Sequence, residues 1–120
     1  MKTVLFVDDH LEFRAIHAMY LQQNGYRVLA VGSGEEAVSQ ARSELPDLVL
    51  TDYSMPGMNG RGVTEQLKGD PATRHIPIVA LTAHSYGAVG RELRNAGCDL
   101  VLAKPIEPDR VLREVRERIG

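Results

Sequence analysis

Five short runs of unbroken apolar, β-rich sequence recur along the chain, and they restrict its fold more than any other feature. They are Val4–Val7, Val28–Val31, Leu48–Thr51, Ile78–Thr82 and Leu100–Ala103. Runs of this length without polar alternation suit strands covered on both faces. Between them, apolar residues return at helical spacing. Phe13, Ile16, His17, Tyr20 and Leu21 mark a core face for the first helix, and Val111, Leu112, Val115 and Ile119 one for the last. Ser33 and Glu36 stand as a capping box. Gly25, Gly69 and Gly97 follow helical segments as C-terminal caps do. The order is β-α, five times over. It predicts an α/β domain with a doubly wound parallel sheet, helices on both faces and right-handed crossovers. The chain of 120 residues suits one domain and leaves no room for two, so residues 1–120 are read as a single unit.

Charge and composition remove several classes of function. Lys and Arg number 14 against 16 Asp and Glu, a formal charge of -2, which leaves no electrostatic footprint for non-specific nucleic-acid binding. Arg110, Arg113, Arg116 and Arg118 line the last helix, but Glu114 and Glu117 sit four residues from Arg110 and Arg113. That is a solvated face laced with opposite charges and not a DNA surface. The single cysteine, Cys98, excludes an internal disulfide and a Cys-rich zinc site, and reads as a packed thiol. His10, His17, His75 and His84 show no metal-ligand spacing. No apolar run approaches the roughly 20 residues of a membrane span. No basic-then-apolar leader opens the chain, so a cytoplasmic location without membrane contact is expected.

Open parallel sheets bind ligands beyond the carboxyl ends of their strands. Asp8 and Asp9 follow the first run, Asp52 the third, Thr82 closes the fourth, and Lys104 follows the fifth. Three acids, a hydroxyl and an ammonium are thus delivered to one edge. Carboxylates within a few Å repel one another, and at least one pKa rises unless a cation intervenes. Mg²⁺ relieves this with an oxygen shell of one or two carboxylates, waters and phosphate oxygens. A nearby lysine suits phosphate, and a carboxylate can attack phosphorus to form an aspartyl-phosphate. Asp52 is the strongest of these signals, because Pro56 and Gly57 soon after leave no helix for it to cap. Asp9 has an ordinary alternative, a capping box with Glu12.

Val7-Asp8-Asp9, the stretch Leu50 to Gly60 with its Asp-x-x-Met-Pro-x-x-x-Gly pattern, Ala80-Leu81-Thr82-Ala83 and Ala103-Lys104-Pro105 together resemble the receiver domain of two-component response regulators. The likeness spans essentially the whole chain in order and spacing. It implies a (βα)5, flavodoxin-like fold with strand order 2-1-3-4-5. It implies that Asp52 accepts a phosphoryl group from a sensor histidine kinase or a histidine phosphotransfer protein. Asp8, Asp9, Asp52 and the backbone carbonyl of Ser54 would hold Mg²⁺. Thr82 and Lys104 would contact the phosphoryl group, and the Lys104–Pro105 bond would be cis. Ser54 and His84 would tune the lifetime of the phosphoryl group. The chain would promote its own phosphorylation and dephosphorylation without being a turnover enzyme.

The resemblance further implies a switch region at Ala83, Val101 and Pro105, and a downstream protein partner on the face of helix 4, strand 5 and helix 5. Relatives carry an aromatic ring three residues before the lysine, where this chain has Val101. The expectation therefore moves to a pliable Ala83–Gly90 backbone carrying Gly87 and Gly90. A second apolar set on the first helix, Leu11, Ala15, Ala18 and Met19, lies where the phosphodonor would dock. Two rivals are weaker. A flavin electron carrier needs a Ser/Thr/Gly-rich loop where Asp8-Asp9-His10-Leu11-Glu12 stands, and a magnesium-dependent phosphatase looks for a second acid where Ser54 stands.

Overall fold

A computed structural model describes residues 1–120. Strands and helices alternate throughout: β1 (Thr3–Val7), α1 (Leu11–Gln23), β2 (Arg27–Val31), α2 (Gly34–Glu44), β3 (Leu48–Asp52), α3 (Gly60–Lys68), β4 (Ile78–Thr82), α4 (Ala88–Ala96), β5 (Leu100–Ala103) and α5 (Pro108–Ile119). Every ladder is parallel and the strands lie in the order β2-β1-β3-β4-β5. The winding reverses at β1, which pairs with both β2 and β3. Such a reversal opens a crevice beyond the carboxyl ends of the strands.

Alternation along each strand divides the core in two. Val4, Phe6, Leu48, Leu50, Val79 and Leu81 pack with Leu21 of α1 and Val111, Leu112 and Val115 of α5. Leu5, Val7, Val49, Ile78 and Ala80 point the other way, against Ala37 and Ala41 of α2, Val63 and Leu67 of α3 and Leu93 of α4. Burying each of the larger side chains stabilises the fold by about 1.5–3 kcal/mol before entropy is counted. β1, β3 and β4 are covered on both faces, as their sequences predict. β2 departs from that expectation: Arg27 and Ala30 are exposed, and Val28 and Leu29 only half-buried. It is an edge strand, paired only with β1.

α1 is also oriented differently from its predicted face. His17, Ala18 and Leu21 are buried and Tyr20 half-buried, while Phe13 and Ile16 are 52% and 54% exposed. Apolar residues surround this helix, so spacing alone does not select a face. Contacts with the sheet and α5 select it instead, and the His17 ring stacks on Phe6 at 5.3 Å between centroids. Ser33 caps α2 as predicted, its hydroxyl accepting from the Glu36 N–H at 3.2 Å. Gly25 and Gly97 end α1 and α4 in the left-handed region, with φ of 95° and 110°. Gly69 differs: it ends α3 with φ of -79°, so no left-handed turn requires it.

The loop from Tyr53 to α3 folds back onto the end of β3, with the Gly60 N–H donating to the Tyr53 carbonyl at 2.9 Å. A Cβ at Gly60 would lie 2.8 Å from the Asp52 carbonyl oxygen and 2.9 Å from Tyr53 Cα, both backbone atoms. Gly60→Ala is therefore expected to lower stability by about 1–3 kcal/mol, as overpacking does. Chemical denaturation measures this, and wild-type stability would show that the loop has slack at this point.

Candidate functional site

Four of the five strand ends, all but that of β2, set a polar group at the same edge. Asp8 extends β1, its N–H donating to the Val31 carbonyl at 3.1 Å. Asp52 is the last residue of β3 and is paired with Leu81. Thr82 ends β4 opposite Ala103, and the Lys104 N–H donates to the Thr82 carbonyl at 2.9 Å. The Lys104–Pro105 bond is cis. Asp8, Asp52 and Thr82 are 1%, 4% and 2% exposed. Carboxylates are rarely buried to this extent unless they are paired or hold a cation.

The pairing is partial. The Lys104 ammonium lies 3.2 Å from Asp52 Oδ1 and 3.7 Å from Asp8 Oδ2. One cation thus faces two buried anions. Burial pushes the Asp52 carboxyl above its ordinary pKa; the Lys104 ammonium pulls it back, and the Asp8 charge adds to the rise. Asp9 is less buried, yet its Oδ1 is shielded from solvent and has no hydrogen-bond partner. The capping alternative for Asp9 does not hold: His10 is the N-cap residue of α1, without a side-chain cap. The Oδ1 atom of Asp8 instead accepts from the His10 N–H at 2.9 Å.

Asp8, Asp9, His10 and Asp52 each bring one ligand atom within 4.8 Å of all the others. The donor set is rich in carboxylate oxygen, and one of those oxygens lacks any hydrogen. Both features fit a divalent cation such as Mg²⁺. The Thr82 hydroxyl oxygen accepts from the His84 N–H at 3.1 Å, which leaves its own proton free to donate. Ser54 and His84 are exposed beside this edge.

Several contributors carry little signal in the sequence. Arg14 sends its Nη1 to the Asp8 carbonyl at 2.8 Å and lies over Gly32, where a Cβ would fall 2.7 Å from that nitrogen. Phe13 places its ring 5.5 Å from the Lys104 ammonium, a cation–π contact. The side chain of His10 joins the acidic cluster, which its position directly after the acid pair could have suggested. His17 is buried, and burial lowers its pKa. The Tyr53 hydroxyl donates to Glu92 of α4 at 3.3 Å, and Arg61 of α3 pairs with Glu92 at 3.2 Å and with Glu65 at 3.2 Å. Cys98 is a packed thiol, as predicted, its Sγ–H directed at the Leu100 carbonyl at 3.0 Å.

Away from the acids, a concavity of about 600 Å³ opens between the β4–α4 loop, β5 and α5, lined by Tyr86, Arg94, Val101, Pro105, Arg110 and Arg113 among others. Val101 is buried and Tyr86 is 90% exposed. Ala83 is exposed one residue beyond Thr82. Gly87 lies outside α4 as its N-cap, and a Cβ on Gly90 would meet the Ser85 carbonyl oxygen. Gly90 thus lies inside α4 and serves close packing.

A family model for the response regulator receiver domain matches residues 4–116. The polar-differentiation response regulator DivK of Brucella ovis is 33% identical over 119 residues, covering 99% of this chain and 97% of that protein. The chemotaxis protein CheY4 of Vibrio cholerae superposes with a TM-score of 0.93 at 28% identity, covering 99% of both chains. The receiver domain of sensor histidine kinase PA1611 from Pseudomonas aeruginosa, with a magnesium ion coordinated in its active site cleft, superposes with a TM-score of 0.90 at 29% identity over 99% of this chain and 98% of that one. No helix is long and apolar enough to cross a membrane. Receiver domains bind Mg²⁺ in an acidic pocket and work with histidine kinases or phosphotransfer proteins and with downstream effectors. On its fold, its acidic edge and these likenesses, the chain belongs to the response regulator receiver domain family and is a CheY-like module of two-component phosphorelay signalling.

Proposed function

We propose that residues 1–120 act as one receiver unit whose phosphoacceptor is Asp52, charged by the phosphohistidine of a sensor histidine kinase or a histidine phosphotransfer protein. The burial of Asp52 against Lys104, with Asp8 behind, is the observation that carries this reading. Asp8, Asp9, Asp52 and the Ser54 backbone carbonyl are the proposed Mg²⁺ ligands. When bound, the ion offsets the carboxylate charge and the charge on the phosphoryl oxygens. A carboxylate oxygen of Asp52 attacks phosphorus as the P–N bond to the donor imidazole breaks, and the bonding pair leaves with the ring nitrogen. The Lys104 ammonium, already 3.2 Å from Asp52, turns from the carboxylate to the phosphoryl oxygens. The free proton of Thr82 donates to another of them. Water later attacks phosphorus, the P–O bond to Asp52 breaks, inorganic phosphate leaves and Asp52 returns to its carboxylate, with exposed Ser54 and His84 beside the water's path. The chain thereby promotes its own phosphorylation and dephosphorylation. Phosphohistidine is made from cytoplasmic ATP, and the reading places the chain in that compartment.

Output follows from the added charge of about -1.5 to -2. As Thr82 and Lys104 move towards it, Ala83 and Pro105 move with them. The groove between α4, β5 and α5 changes shape for a downstream protein partner. Val101 has no ring to swing, so the change runs through the Ala83–Gly87 backbone. The exposed Leu11, Ala15, Ile16 and Met19 of α1 form the docking face for the phosphodonor. Ala18, predicted with this set, is buried and takes no part.

Intact mass after acetyl phosphate and Mg²⁺ should show one phosphoryl adduct, absent in Asp52→Ala. An adduct that survives this substitution would move the acceptor elsewhere. Followed over time, the same adduct should decay at a different rate in His84→Ala, and an unaltered lifetime removes His84 from this account. Ala15→Asp should slow transfer from a phosphorylated kinase several-fold while leaving labelling by acetyl phosphate intact; equal rates from the kinase would refute docking on α1. Amide exchange in 83–87 should change on phosphorylation, and identical protection in both states would place the switch in another segment.

A further inference from the structure

Lys104 is the moving part of the receiver reading, and the movement belongs to its side chain. Its backbone N–H donates to the Thr82 carbonyl at 2.9 Å, while the flexible four-carbon stem reaches back to the acidic edge. Three contacts hold the ammonium there. It donates to Asp52 Oδ1 at 3.2 Å, faces Asp8 Oδ2 at 3.7 Å and lies over the Phe13 ring, 5.5 Å from its centroid. That last distance is within reach of a cation–π attraction. Core packing does not account for the ring. The buried face of α1 is made of His17, Ala18 and Leu21, and Phe13 is 52% exposed.

The three contacts differ in what the reaction does to them. Phosphorylation ties up a carboxylate oxygen of Asp52 in a bond to phosphorus, and a divalent cation at this edge offsets the charge of Asp8. Both anionic anchors of the ammonium are therefore weakened just when it turns to the phosphoryl oxygens. An aromatic ring keeps its quadrupole throughout. We propose that Phe13 is a positioning residue for the phosphoryl reaction, its ring acting as the pivot that keeps the Lys104 ammonium over the acidic edge while its carboxylate partners change. The proposal rests on the reading of Lys104 as the cation that meets the phosphoryl group. It gives a half-exposed aromatic side chain on α1 a task that neither the core nor an ion pair assigns to it. Without the ring the lysine keeps its charge but spends less time facing the site, so the reaction slows and does not stop.

The rate at which acetyl phosphate labels the full chain in saturating Mg²⁺, followed by intact mass, tests this with no protein docked on α1. Phe13→Leu keeps apolar bulk and removes the ring, and should slow labelling about two- to fivefold, the equivalent of about 0.5–1 kcal/mol. Phe13→Tyr keeps a ring face and should retain the native rate. Ring-fluorinated phenylalanines at position 13, which draw charge from the ring face at nearly constant size, should slow labelling step by step with the number of fluorines. In a Lys104→Ala background Phe13→Leu should have no further effect. The ε-methylene proton signals of Lys104 should be displaced upfield by the ring in both the free and the phosphorylated chain, and return to their ordinary position in Phe13→Leu. Native labelling in Phe13→Leu overturns the proposal. So do slowing that is equal with and without Lys104, labelling indifferent to fluorination, and an upfield displacement that is lost on phosphorylation. If Lys104→Ala labels more slowly than the native chain in those cases, the receiver reading stands and only the role of Phe13 falls. If Lys104→Ala itself labels at the native rate, the role of the lysine falls and the proposal with it.

Discussion

Two buried carboxylates share one ammonium, and much of the architecture exists to hold them there. Asp8 and Asp52 lie at the ends of adjacent central strands, with Lys104 reaching both from beyond β5. Their ligand atoms lie within 4.8 Å, where like charges repel by about 3–4 kcal/mol at an effective dielectric of 20. Burial adds to the cost of the charged pair. Burial first, and the Asp8 charge after it, push the Asp52 pKa up against the pull of the Lys104 ammonium, and a cation at this edge would relieve both. A charge imbalance built into the free protein is thus the source of its binding chemistry. The strain is tolerable because β1 and β3 are fixed by both core layers and cannot splay apart.

The surroundings connect that imbalance to two surfaces. On one side Phe13 covers Lys104 and Arg14 braces the Asp8 carbonyl, so α1 bears directly on the charged centre. Leu11, Ile16 and Met19 of the same helix are exposed. On the other side Tyr53, next in sequence to Asp52, reaches Glu92 of α4, which also pairs with Arg61 of α3. The end of β3 therefore has a polar connection to α4 even though Val101 carries no ring. The segment between Thr82 and α4 adds a second route, because Thr82 accepts from the His84 backbone.

Much of this was legible in the residues. Each strand was marked by an apolar run to within one residue, and Asp8, Asp52, Thr82 and Lys104 follow from the rule that strand ends carry the ligands. What misled was local ambiguity. α1 is apolar on nearly every side, so its spacing rightly selected His17 and Leu21 for the core but added the exposed Phe13 and Ile16 and passed over Ala18. β2 reads like the central strands because apolar composition does not reveal an edge. Gly87 and Gly90 look alike in the sequence; one starts a helix with positive φ and the other makes room for the Ser85 carbonyl.

The sequence by itself determined which groups end the strands, the βα alternation and the likeness that implies the sheet order, since these depend on period, order and residue type. Only the tertiary structure decided how those groups meet: that Lys104 faces Asp52 and Asp8 together, that Asp9 is left without a hydrogen, and that His10 turns towards the acids and not away. The reason is physical. Periodicity is a property of neighbours along the chain, whereas a charge is balanced by whatever lies a few Å away in space, and that is settled only when both faces of the sheet are packed.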